Sequence, residues 1–123
     1  MLATKESVLH IIEENFMKDL EYEVLTSVMG MDGYDLSQYF EQLVDYGDLE
    51  GMDDLEVEKF ETDRDEEGQT VSGILRLNAM VGGYVHWDEE DEYMESCEIP
   101  MEFSFSFQIT DGIYGAFVAE YLE

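Results

Sequence analysis

The chain has 123 residues, 45% of them apolar and 13% aromatic, and it sets 32 Asp and Glu against five Lys and Arg for a formal net charge of −27. That length supports one core, and the apolar and aromatic content excludes the disordered acidic class, so the charge sits on a single folded domain spanning 1–123. The shortage of cations argues against direct binding of DNA or RNA, and an anionic membrane would repel the surface.

Cys97 is the only cysteine, which removes an intrachain disulfide and fits a reducing, cytoplasmic setting. Met1-Leu2-Ala3-Thr4-Lys5 leads into polar sequence without a signal-peptide core, and no apolar run approaches bilayer length.

Val8, Ile12, Phe16, Leu20, Val24 and Val28 recur every four residues, the stripe of one long amphipathic helix. Thr4 is placed to cap it, and Gly30 to close it in the left-handed conformation. After Met31-Asp32-Gly33, the spacing of Leu36, Tyr39, Phe40 and Leu43 predicts a short second helix over 36–46, stopped by Gly47. Asp45, Asp48, Glu50, Asp53 and Asp54 then fall on its last turn and exit.

Alternation takes over in the second half. Leu55–Phe60 begins a first strand whose phase slips at Phe60, as a bulge allows. The Asp65-Glu66-Glu67-Gly68 turn leads to a long second strand in which Val71, Gly73, Leu75, Leu77, Ala79, Val81, Val85 and Trp87 share one parity, with a bend at Gly82-Gly83. An acidic loop over 88–98 follows. Ile99, Met101, Phe103, Phe105, Phe107 and Ile109 alternate with polar residues in a third strand, and Asp111-Gly112 is a hairpin turn signal. Residues 113–121 complete a fourth strand, with a C-terminal helix as the alternative. The expected fold is α+β: a long N-terminal helix and a short second helix packed on a four-stranded antiparallel sheet.

Chemistry-bearing motifs are few. Asp63-Arg64-Asp65-Glu66-Glu67-Gly68 resembles the opening of a calcium loop, but position 12 falls on Ile74 where a bidentate Glu is needed, so a solvated hairpin tip is the simpler reading. His10, His86 and Cys97 have no zinc or cysteine-hydrolase spacing. Phosphate-binding glycine loops are lacking. No catalytic residue, metal site or cofactor is expected.

The acid itself is patterned. It concentrates around the second helix and its exit, along the first strand and turn, and in the loop 88–98. Carboxylates two apart on a strand, such as Glu56 and Glu58, project about 6.6 to 7 Å apart, close to the phosphate step of a nucleic-acid strand. Aromatic residues, Trp87 and Tyr93 among them, interleave the clusters and can supply interface contacts. The expected partner-binding residues are Asp48, Glu50, Asp53, Asp54, Glu56, Glu58, Asp63, Asp65, Glu66, Glu67, Trp87, Asp88, Glu89, Glu90, Asp91, Glu92, Tyr93 and Glu95, gathered into one coherent patch.

On these clusters and this size, the chain resembles at class level the small acidic inhibitors of phages and mobile elements: anti-CRISPR proteins, anti-restriction proteins and uracil-glycosylase inhibitors that mimic DNA. The resemblance implies an inhibitor seated in the PAM-reading or duplex-holding cleft of a Cas effector such as Cas9, or on a restriction nuclease. The alternative is an immunity protein or antitoxin that neutralises a basic nuclease toxin. A free edge near 113–121 gives geometric permission for a homodimer.

Overall fold

A computed structural model describes residues 4–123. Helices α1 (Lys5–Asn15) and α2 (Met17–Met29) and the single turn α3 (Gly33–Leu36) precede four strands, β1 (Tyr46–Arg64), β2 (Gln69–Trp87), β3 (Glu90–Thr110) and β4 (Ile113–Leu122). The strands form an antiparallel meander in the order β1-β2-β3-β4. The α+β class and the four-stranded sheet are therefore as expected, including β4 in place of a helix.

The single long helix is corrected. Residues spaced by four advance 400° on a 3.6-residue helix, so a straight stripe from Val8 to Val28 would wind about 200° away from the core. The chain resolves the conflict by breaking at Phe16 (φ −128°, ψ 13°). Each half then drifts only within an ordinary apolar stripe, and all six residues stay buried. Asn15 marks the break by donating its side-chain amide to the Ile11 carbonyl at 2.9 Å. Thr4 caps α1 as expected, accepting from the Ser7 N–H at 3.1 Å. Gly30, in contrast, is right-handed (φ −80°) and does not supply a left-handed close.

The second helix is also corrected. Only Gly33–Leu36 is helical, started by a reciprocal capping box between Asp32 and Asp35. Leu36, Phe40 and Val44 reach the core while Leu43 is exposed. What replaces helical hydrogen bonding is distant in sequence: Glu95 Oε1 accepts the N–H groups of Glu41 (2.7 Å) and Gln42 (3.2 Å), and the Asp45 N–H donates to the Tyr84 carbonyl at 2.7 Å.

Consequently β1 begins at Tyr46, not Leu55, and Asp48, Glu50, Asp53 and Asp54 lie on a strand. Its ladder with β2 shifts register between Leu49 and Gly51, Asp53 and Glu56, and Val57 and Lys59, which breaks the alternation that would have announced it. The slip expected at Phe60 falls just before it. The loop 88–98 shrinks to a two-residue turn, Asp88-Glu89, and Glu90–Glu98 pairs with β2. Cys97 therefore stands mid-strand, opposite Val81.

One sheet face meets the helices. Val57, Leu75 and Phe103 share a rung, as do Ala79 and Ile99, and all are buried. Phe16 closes this core by stacking on Phe117 at 4.8 Å and tilting against Phe107 at 5.3 Å. The other face is open to solvent, and β2 carries no carboxylate at all.

Candidate functional site

Because no charged residue is buried among those described, the whole charge acts outward, and its placement decides what it can do. The turn Asp65–Gly68 and the turn Asp88-Glu89 lie at opposite ends of β2, with about 60 Å of strand between them at ordinary rise. The expected acidic residues thus divide instead of forming one patch. Asp63, Asp65, Glu66 and Glu67 mark one end. Asp48 and Glu50 share the other with Asp88, Glu89, Glu90, Asp91, Glu92 and Glu95, flanked by Trp87 and Tyr93. Asp53, Asp54, Glu56 and Glu58 occupy the stretch of β1 between them. The helices add Glu6, Glu13, Glu14, Asp19, Glu21 and Glu23 on the opposite side.

The middle stretch is the weaker candidate. Arg76 Nη2 lies 3.3 Å from Glu56 Oε2, and Asn78 donates to Asp54 Oδ2 at 3.1 Å. Glu58 is the extra residue of the bulge between Val57 and Lys59, so Glu56 and Glu58 do not form the regular phosphate-like step that an unbroken strand would give.

At the Asp88-Glu89 end, the register assembles residues that sequence reasoning did not join. Tyr46, Tyr84 and Tyr93 stand on one rung of three adjacent strands. The Tyr46 and Tyr84 rings stack at 5.3 Å, and Tyr93 meets Tyr84 edge-on at 5.5 Å. Beside them Asp91 is shared: the Tyr46 hydroxyl donates to Oδ2 at 2.7 Å, and His86 Nδ1 lies 2.6 Å from Oδ1. Asp45 completes the tie by accepting the His86 N–H at 2.8 Å, and Ser96 donates its hydroxyl to Glu50.

The titrations follow from these contacts. Hydrogen bonds from His86 and then Tyr46 hold the Asp91 carboxyl below its ordinary range. The bond to Asp91, with smaller contributions from burial and the surrounding negative charge, pushes the Tyr46 phenol up to about 12. Burial, then Glu95, raises the Cys97 thiol, which makes it a poor nucleophile at neutral pH.

This network locks three strands together with an aromatic row that leaves Tyr93 49% exposed, while Trp87, on the reverse face with Glu90 and Glu92, is 60% exposed. An exposed aromatic side chain beside carboxylates on each face is suited to cationic protein groups. At the far end, Asp65 Oδ1 is used as a turn cap, accepting from Glu67 (2.8 Å) and Gly68 (3.0 Å), and among the described residues no group of three or more His, Cys, Asp or Glu is placed to hold a metal. His10 lies on the opposite side beside Glu14, at 3.0 Å.

The tyrosine row was not visible as a site because residues 46, 84 and 93 become neighbours only through register. No described helix is long and apolar enough to cross a membrane. No family model matches the chain, and no curated protein or solved structure matches it either.

Proposed function

We propose that this chain is a DNA-mimicking inhibitor that docks the Asp88-Glu89 end of its sheet in the PAM or duplex cleft of a host defence nuclease, with a Cas effector first among the candidates. The observation that carries the reading is that this end of the sheet sets an exposed aromatic residue beside carboxylates on each face, Tyr93 with Asp48, Glu50 and Asp91 on one and Trp87 with Glu90 and Glu92 on the other, on a chain of net charge −27. Carboxylates there pair with the Arg and Lys side chains that hold phosphates or read base edges. The long-range field speeds encounter, and the aromatic contacts slow release. The protein acts in the cytoplasm of the host, without a cofactor and without touching nucleic acid itself.

The test is co-purification with candidate nucleases, guide-loaded or free and including basic toxin nucleases, followed by competition with duplex DNA. Charge reversal at Asp88, Glu90 and Glu92 is expected to weaken the complex far more than reversal at Glu13 and Glu14 on α1. Asp91 is left alone because it ties the strands together. Equal losses from both sets, or binding indifferent to salt, would refute the reading.

A further inference from the structure

We infer that the free edge of β4 is a self-association surface, through which two copies of this chain pair antiparallel across a two-fold axis. The inference stands apart from the proposed inhibitory site, at the other edge of the sheet.

The two edges are built differently. β1, at one edge, carries eight carboxylates and three register shifts, the devices by which edge strands are kept from pairing. β4, at the other, has one charged residue in ten, Glu120, and among the described residues no strand lies beyond it. Ile113 and Val118 are 71% and 62% exposed, and Leu122 is exposed at its end. One shift, between Ser106 and Gln108, interrupts the inner ladder.

Charge selects the occupant. A cationic partner is drawn to the acid-bearing ends and β1 and finds only Glu120 at β4 to neutralise. A second copy, itself at −27, is repelled by the acid-bearing ends and by the β1 edge, so of the two free edges the nearly uncharged one is where two copies approach at least cost. Antiparallel strand pairing is also self-complementary under a two-fold axis. Such pairing continues the sheet and sets both α2 helices on the same face, where Asp19 and Glu23 beside Phe117, Val118 and Ala119 come to face their counterparts. Residual repulsion therefore opposes the dimer, and salt relieves it.

The salt response has the opposite sign to that of a complex with a cationic nuclease, which separates the two proposals. In sedimentation equilibrium, the dimer dissociation constant is expected to fall by about tenfold or more between ~0.01 M salt, where charges interact over ~30 Å, and ~1 M, where they interact over ~3 Å. Val118→Glu is expected to abolish the dimer with the circular dichroism of the monomer unchanged, and Trp87→Ser to leave it intact. Amide exchange of the unmodified chain supplies a readout free of mutation: protection within 118–122 should rise with protein concentration. A monomer at every salt concentration, a dimer that loosens with salt, concentration-dependent protection confined to another element, or association that continues beyond two copies would each overturn the inference.

Discussion

Among the described residues, Ala116 is the one other than Asp or Gly that adopts a left-handed backbone, at φ 53°. It sits where Ser106 pairs with Val118 but Gln108 with Gly115, so residues 116 and 117 oppose Phe107 alone, in a bulge of the kind that calls for glycine at its first position. A Cβ in this conformation costs about 1–2 kcal/mol, and glycine gives back roughly 0.5–1 kcal/mol in chain entropy. Ala116→Gly should therefore stabilise the protein by about 0.5–1 kcal/mol, although a glycine placed inside a strand ordinarily weakens it. The neighbouring Gly115 has no left-handed torsion, and a Cβ there meets nothing within 4 Å, so Gly115→Ala should add about 0.4–1 kcal/mol. Exchanging the two residues is thus expected to gain roughly 1–2 kcal/mol, read as a rise of about 0.5–1 M in the urea midpoint at unchanged slope. If Ala116→Gly destabilises while Gly115→Ala is neutral, residue 116 is not left-handed and the bulge is misplaced.

Other outcomes follow from contacts already described. A Cβ at Gly73 would lie 2.1 Å from the Lys59 carbonyl oxygen and 2.8 Å from Phe60 Cα; because both are backbone, Gly73→Ala should cost about 2–3 kcal/mol or more in chemical denaturation. Ultraviolet titration should find one tyrosine ionising at about 12, absent in Tyr46→Phe; its contribution to stability is complete below the ordinary phenol value and lost as pH rises through about 12. Asp91, held low by His86 and Tyr46, contributes stability above the ordinary carboxylate range that disappears as pH falls through its lowered value; Asp91→Asn should flatten the acid limb of a stability-against-pH curve, and an unchanged limb would contradict the network.

Legibility in the sequence followed the range of the interaction that decided each element. The alternation from Ile99 to Ile109 and the Asp111-Gly112 turn are local signals, and β3 and the hairpin into β4 follow them. The four-residue stripe of the N-terminal segment was legible too, but its strictness was itself the sign of a break, since no straight helix keeps six such residues inward. Residues 36–46 misled because Leu36, Phe40 and Val44 keep helical spacing, while the groups that receive their backbone, Glu95 and Tyr84, lie some forty to fifty residues away. The run Asp88–Glu98 reads as loop by composition, yet from Glu90 onward it pairs with β2, with Met94 alone left out at a bulge. For the same reason the acidic residues were identifiable as a class and not as a surface: their division between two ends depends on where the turns fall.

β2 is flanked by a partner along nearly its entire 19 residues, and it alone connects the two acid-bearing turns. It carries the charge at its two tips. Under the proposed function, any one molecule that engages both turns has to present cationic ground at both ends of a strand whose contour is about 60 Å. A smaller receptor takes one tip and leaves the other facing water, still charged and still able to turn away whatever polyanion arrives next.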